Sequence, residues 1–347
     1  MRRRNILPRR PTNGAYFSKL LHLSQTQNSG LHRFAMLLAS ATFVLIFVGG
    51  LVKSTGSELS VPDWPLAFGK LIPSLRGGVL FEYSHRVVAG VVSMLTLALM
   101  LWAILREPRY WVRVLATIAF ALVIVQAVLG GITVLFLIPL PIAMAHTAAA
   151  NAFFCIVVAL AIFTSPWFIE TMPREENRSR VPLAKLAAIT TGIVYLQILV
   201  GALMRHLGAG LAIPDFPTSF GQAVPPLWNE FIAINFIHRC GAVIVTCFVV
   251  WTVTRVLAGH RDEPLLRRPA LGLILLLTTQ ICLGAITIWT RRAVFPTTAH
   301  VAIGAAVLVT SLTITIRAWR LYGIRGAQAV MPAALRSEVV AHRHVTA

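Results

Sequence analysis

Polar and charged positions are gathered into short segments that separate long apolar runs, at about 33–52, 83–105, 113–135, 141–163, 184–204, 233–254, 269–289 and 296–316. Each run approaches the roughly 20 apolar residues that a helix needs to cross a bilayer. The pattern predicts an all-α membrane protein with eight transmembrane helices. Composition points the same way, because 57% hydrophobic and 12% charged residues with a mean hydropathy of +0.76 depart from the soluble globular average.

The formal charge of +19 over 347 residues raises the question of nucleic acid, but the placement of the basic residues answers it. With the N-terminus inside, 23 of the 31 Lys and Arg fall in the arm, the inner loops and the tail. The positive-inside rule then predicts that both termini are cytoplasmic, with anionic lipid as a secondary contact and no nucleic acid partner. The arm holds Arg2, Arg3, Arg4, Arg9 and Arg10 and no acid. It reads as an inside-facing arm that orients the first helix, with a targeting segment as the alternative. Cys155, Cys240, Cys247 and Cys282 all fall in predicted helices. No outer disulfide is expected, and the pair Cys240 and Cys247 reads as small buried filler.

The chain repeats itself. A shift of 152 residues lays Gly49, Gly56, Pro62, Asp63, Pro65, Phe68 and Gly69 on Gly201, Gly208, Pro214, Asp215, Pro217, Phe220 and Gly221 without a gap. The match resumes with SHRVVAGVV (84–92) against IHRCGAVIV (237–245), and QAVLGGITV (126–134) against QICLGAITI (280–288). Halves with an even number of helices enter and leave on one side, so the repeat is parallel, giving two parallel-repeat four-helix bundles. The expected organisation is a basic cytoplasmic arm over 1–32, an N-terminal half over 33–165 and a linker over 166–183. A C-terminal half over 184–320 and a tail over 321–347, read as disordered, complete it. An echo in four helices, VGGLV (48–52), LGGIT (129–133), VGALM (200–204) and LGAIT (283–287), fits either plain helix packing or clearance for a flat macrocycle.

Four histidines, His85, His146, His238 and His300, stand near the outer ends of four helices, and the second pair follows the first by 153 and 154 residues. Intramembrane polar groups tend to mark function, and haem iron takes histidine as an axial ligand. Each half is therefore expected to clamp one haem between two helices. A tetrahedral zinc site fits two histidines per half poorly. Arg86 and Arg239 follow one histidine in each half. Two readings stand for them, a haem propionate partner and an interfacial arginine reaching water. Glu82 lies three residues before His85, whereas its repeat partner is Asn235. It reads either as an acid or base beside one haem only or as a carboxylate favoured at a helix N-terminus. Glu58, replaced by Gly210 in the repeat, reads as a solvated turn residue. Trp64 and Phe216 cover a haem edge or sit at the interface.

Together GGLVKSTGSELSVPDWPLAFG (49–69), EYSHR (82–86), QAVLGGITV (126–134) with a following His, and the degenerate second copy resemble the haem A synthase family of cytochrome oxidase assembly enzymes. The likeness runs from about residue 33 to 320. It implies an oxidoreductase that converts the C8 methyl of haem O to a formyl group by successive hydroxylations, in the bacterial cell (inner) membrane. By motif position it implies that Glu82 is the essential glutamate, that His85 and His146 ligate the substrate haem, and that His238 and His300 ligate a retained haem b. Haem O, the farnesyltransferase that makes haem O, an electron acceptor and a second copy of the chain are the implied partners. Some bacterial members have a cysteine pair in the first outer loop, and this chain has none. The residues leave two alternatives: a bis-histidine dihaem electron-transfer cytochrome, which needs the histidines but not the lone Glu82, and a transporter, which lacks a polar path in the inner helix halves.

Overall fold

A computed structural model describes residues 13–171 and 181–323, with side chains from Ser29 onward. Most of the polar join and the tail lie outside the described residues. The helices are α1 (Asn13–Ser54), α2 (Gly78–Arg106), α3 (Tyr110–Leu135), α4 (Leu140–Phe163), α5 (Pro166–Glu170), α6 (Leu183–His206), α7 (Glu230–Gly259), α8 (Pro264–Trp289) and α9 (Val294–Tyr322). All but α5 are long and apolar enough to cross a membrane. No strand forms among the described residues, where the sheet-like pairing is confined to two isolated bridges. This is an all-α membrane protein.

Two differences from the sequence reading have simple causes. Helix α1 begins at Asn13, far before the apolar run, and only Ser29–Ser54 has the hydropathy of a span. Hydropathy locates the part that meets lipid, whereas the backbone stays helical until a breaker ends it. Within the expected linker, α5 is too short to show a period. Ser165 caps it by accepting from Phe168 N–H at 3.2 Å, Pro166 starts it, and Phe168 is buried.

The two long connections, 55–77 and 207–229, lie at one end of the molecule, called here the loop face. Within the first half α1 packs on α2 and α4, and α3 packs on α2 and α4; in the second, α6 packs on α7 and α9, and α8 on α7 and α9. The helices that carry the histidines, α2 with α4 and α7 with α9, therefore stand diagonally across each bundle. The packed apolar cores lie toward the opposite end. One joins Leu38, Leu99, Ala119 and Val157, and the other joins Val249, Leu273, Leu308 and Ile314. Cys240, Cys247 and Cys282 are exposed on the outside of the bundle, not buried filler. A spanning helix turns apolar residues outward as well as inward, so a low-polarity side chain does not imply burial.

The halves meet where α9 packs on α1 and α4, and where α4 packs on α6. At the loop face, Arg205 donates to Gly50 O and Ser54 Oγ, both at 2.9 Å, and Thr298 donates to Ser54 Oγ at 2.9 Å. Deeper, Tyr195 OH donates to Ala148 O at 2.9 Å. Hydroxyl pairs such as Thr190 with Thr252 and Thr191 with Ser311, each 2.8 Å apart, tie helices within the second half.

Pro269 sits inside α8 and has no N–H for the carbonyl four residues earlier. Arg317 of α9 donates to that carbonyl, Leu265 O, at 2.7 Å while its guanidinium lies over the Trp167 ring. Arg317→Met, which keeps bulk but no donor, should lower stability by about 1.5–3 kcal/mol, the worth of a hydrogen bond from a charged donor to this partly buried carbonyl. Thermal unfolding in detergent measures it, and an unchanged midpoint would show that this bond does not hold α8 to α9.

Candidate functional site

Each imidazole leans on a glycine of a neighbouring helix. A Cβ built on Gly49 would stand 3.0 Å from His85 Cε1, on Gly201 2.8 Å from His238 Cε1, on Gly284 3.1 Å from His300 Cε1, and on Gly130 3.5 Å from His146 Cε1. These glycines are the four-fold echo seen in the sequence. Its third reading, missed there, is clearance for histidine rings inside a bundle. His85 lies within electrostatic range of His146, and His238 within range of His300. The diagonal helices of each half thus turn their histidines toward one another. Among the described residues no three or more His, Cys, Asp or Glu cluster as metal ligands.

The pairs differ in how their rings are held. In the second half, His300 Nδ1 lies 3.0 Å from Gln280 O, and Gln197 Nε2 lies 3.0 Å from His238 Nδ1 while donating to His238 O at 2.7 Å. In the first half, His85 Nδ1 and His146 Nδ1 are buried and close no hydrogen bond of normal geometry, although the Gln126 backbone lies alongside His146. Gln126 instead donates its amide to His146 O at 2.9 Å. Gln197 was not singled out from sequence; its only signal is that the repeat places Leu45 opposite it.

Glu82 is buried at 4% exposure, and both of its oxygens are used. Oε2 accepts from Val61 N–H at 2.8 Å and Oε1 from Arg86 Nη2 at 2.7 Å. Asn235 does the complementary work, donating to Ala209 O at 2.9 Å and accepting from Arg239 Nε at 3.0 Å. Each side chain ties the second turn of its helix to the preceding loop. Arg86 donates to Asp63 O at 2.7 Å, Leu66 O at 2.9 Å and Val61 O at 3.2 Å. Arg239 donates to Thr218 O at 2.7 Å and Ile213 O at 3.0 Å, with its guanidinium over Phe216. Both arginines are loop staples here, and a propionate would have to compete with these carbonyls. Glu58 is only partly exposed and pairs with Lys53 at 2.6 Å.

Each loop closes in a tight turn with two residues at positive φ, Phe68 and Gly69 in one and Phe220 and Gly221 in the other. Asp63 accepts from the N–H groups of Phe68 at 2.7 Å and Gly69 at 2.8 Å; Asp215 accepts from Phe220 and Gly221 at the same two distances. Trp64 lies flat on α3, where a Cβ on Gly131 would come within 2.7 Å of its ring. At the equivalent places the second half has the smaller Phe216 and the larger Ala285.

The backbone N–H groups of Gly69 and Phe68 hold the Asp63 carboxyl below its usual range, and Gly221 N–H with the Thr218 hydroxyl brings Asp215 down to about 2. A carboxyl whose folded pKa lies below its unfolded value of 3.8 stabilises the fold above that value and loses the contribution as pH falls toward the folded pKa. Protection of the Phe220 and Gly221 amides from hydrogen exchange, corrected for intrinsic rate, should be constant above about pH 4 and fall between pH 4 and 2. Asp215→Asn should abolish that dependence; equal protection at pH 2 and pH 5 in the unaltered chain would refute the assignment.

Comparison with known proteins extends this geometry. The family model described as "Cytochrome oxidase assembly protein" matches residues 77–313, which include all four histidines and Glu82. A haem A synthase of Staphylococcus haemolyticus is 31% identical over 272 residues, covering 75% of this chain and 86% of that protein. One of Shouchella clausii is 31% identical over 235 residues, covering 65% and 77%, and one of Symbiobacterium thermophilum is 28% identical over 262 residues, covering 73% and 84%. With its paired histidines inside the matched region, the chain belongs to the cytochrome oxidase assembly family that includes these haem A synthases.

Proposed function

We propose that this chain is an oxidoreductase that converts the C8 methyl of haem O to a formyl group by successive hydroxylations, with haem O taken up between His85 and His146 and a haem b kept between His238 and His300. The observation that carries the reading is the arrangement of buried imidazoles on diagonal helices, each backed by a glycine. The residues fit a planar metal macrocycle ligated from both faces. The ligand-bearing helices do not pack closely on one another, and the buried Nδ1 atoms of His85 and His146 close no hydrogen bond of normal geometry. The bound haem b would supply one-electron redox capacity.

The chain's own residues position and enclose. His85 and His146 orient the substrate. Arg86 and Arg239, through loop carbonyls, hold the two loops against the helix ends and keep water from the pockets. Glu82 lies three residues before His85, where the second half has Asn235, and its Oε1, shared with Arg86, is where a proton is taken or given. Both halves repeat in parallel in a bacterial inner membrane with the termini cytoplasmic, as the basic residues favour. Haem O arrives from the farnesyltransferase that makes it.

The parallel loop contacts of Glu82 and Asn235 favour a second reading, a dihaem electron-transfer cytochrome in which Glu82 only ties a loop. Haems extracted from a haem-O-producing host, with and without this chain, separate the two. Haem A or its hydroxylated precursor should form only with the chain, and unchanged haem O beside a bis-histidine spectrum would select the cytochrome. Glu82→Gln should keep both haems and lower product formation by about a hundredfold or more. Gly201→Val, which drives a side chain into His238, should abolish the second bis-histidine signal, whereas Gly192→Val, with nothing within 4 Å, should keep it.

A further inference from the structure

Arg205 stands one helical turn beyond Gly201, the residue that seats His238, and so shares its face of α6. Its Nη2 reaches across the join to Gly50 O and Ser54 Oγ, where Gly50 faces Thr298, two residues before His300. The guanidinium lies within electrostatic range of His300. Arg205 is thus placed at the mouth of the second pocket. Among the described residues no ion pair includes it, and its Nε is buried and closes no hydrogen bond. The acid in range, Glu58, gives its Oε2 to Lys53, and a second cation in range, Arg292, likewise stands outside the described ion pairs. A buried cationic donor left unpaired is costly, and an anion at this mouth would remove the cost.

The first half is built otherwise. Lys53 is the repeat partner of Arg205, and Glu58 takes it up at the position where the second half has Gly210. Arg292 corresponds to Ile138, in a turn with the same positive φ. We propose that Arg205 and Arg292 form a carboxylate seat for the haem held between His238 and His300, and that the first pocket has no equivalent. A haem carries its two propionate carboxylates on one edge, and a guanidinium matches a carboxylate in geometry as well as charge. Arg239, the candidate from sequence, is engaged by Ile213 O and Thr218 O. Arg205 donates through Nη2 alone. The second pocket therefore grips its ligand by the iron and by the carboxylate edge, whereas the matching cation of the first is already spent on Glu58.

This inference rests on the reading of His238 and His300 as a haem pocket. The test isolates that pocket with His85→Ala in the full chain and loads it with haem b or with haem b dimethyl ester, whose carboxylates carry no charge. Loss of the bis-histidine spectrum to excess apomyoglobin is then followed. The ester should leave faster than haem. Adding Arg205→Met should speed haem loss by about tenfold or more, the worth of one charge-assisted hydrogen bond, and leave ester loss unchanged, while Arg205→Lys should keep haem loss slow. Arg292→Met, which breaks none of the bonds between the halves, should likewise speed the loss of haem and not of ester. Equal speeding of haem and ester by Arg205→Met, with Arg292→Met without effect, would make Arg205 a tie between the halves and overturn this inference alone. Equal rates for haem and ester with both arginines intact would overturn it as well. Absence of any bis-histidine haem in His85→Ala would overturn it together with the reading on which it rests.

Discussion

The loop-face half of the molecule is organised around four imidazoles held inside apolar helix bundles. Three of the imidazoles press on a spanning helix so closely that a side chain there would crowd the ring, and Gly49, Gly201 and Gly284 leave the gap, while Gly130 lies against His146 at ordinary contact distance. The histidine-bearing helices stand diagonally, so neither can fill the space before the other. The apolar cores are then confined to the opposite end, where Leu99, Val157, Val249 and Leu308 close the bundles. Without that end the loop-face half would lack the packing that keeps the helices apart.

The two loops complete the arrangement through polar contacts made twice over. A carboxylate organises each tight turn, an arginine on the next helix takes loop carbonyls, and an acid or amide one turn earlier bonds a further backbone group. Where the halves diverge, the changes come in compensating sets. Trp64 goes with Gly131 and Phe216 with Ala285; Leu45 goes with Val88 and Gln197 with Gly241. Packing at near-crystalline density allows volume to move between neighbours but not to appear at one of them alone.

Much of this was legible in the chain because membrane helices announce themselves by length and hydropathy, and because the repeat displays each motif twice. The four histidines, Glu82 and both arginines were visible as candidates for that reason. The partners of Arg86 and Arg239 were not, since carbonyls of Val61, Leu66, Ile213 and Thr218 carry no residue-type signal. Helix α5 escaped because five residues are too few to show a period, and the exposure of Cys240 because lipid-facing and core-facing positions are equally apolar.

By itself the sequence determined the spans, the pairing of the halves and the residues able to do chemistry, since these follow from hydropathy, residue type and spacing. Tertiary structure alone decided which glycine seats which ring, which imidazoles are bonded and which are bare, and that the loop arginines bind backbone. Those outcomes depend on which atoms of distant segments come within about 3 Å of each other, and such distances are set by packing between helices rather than by position along any one of them.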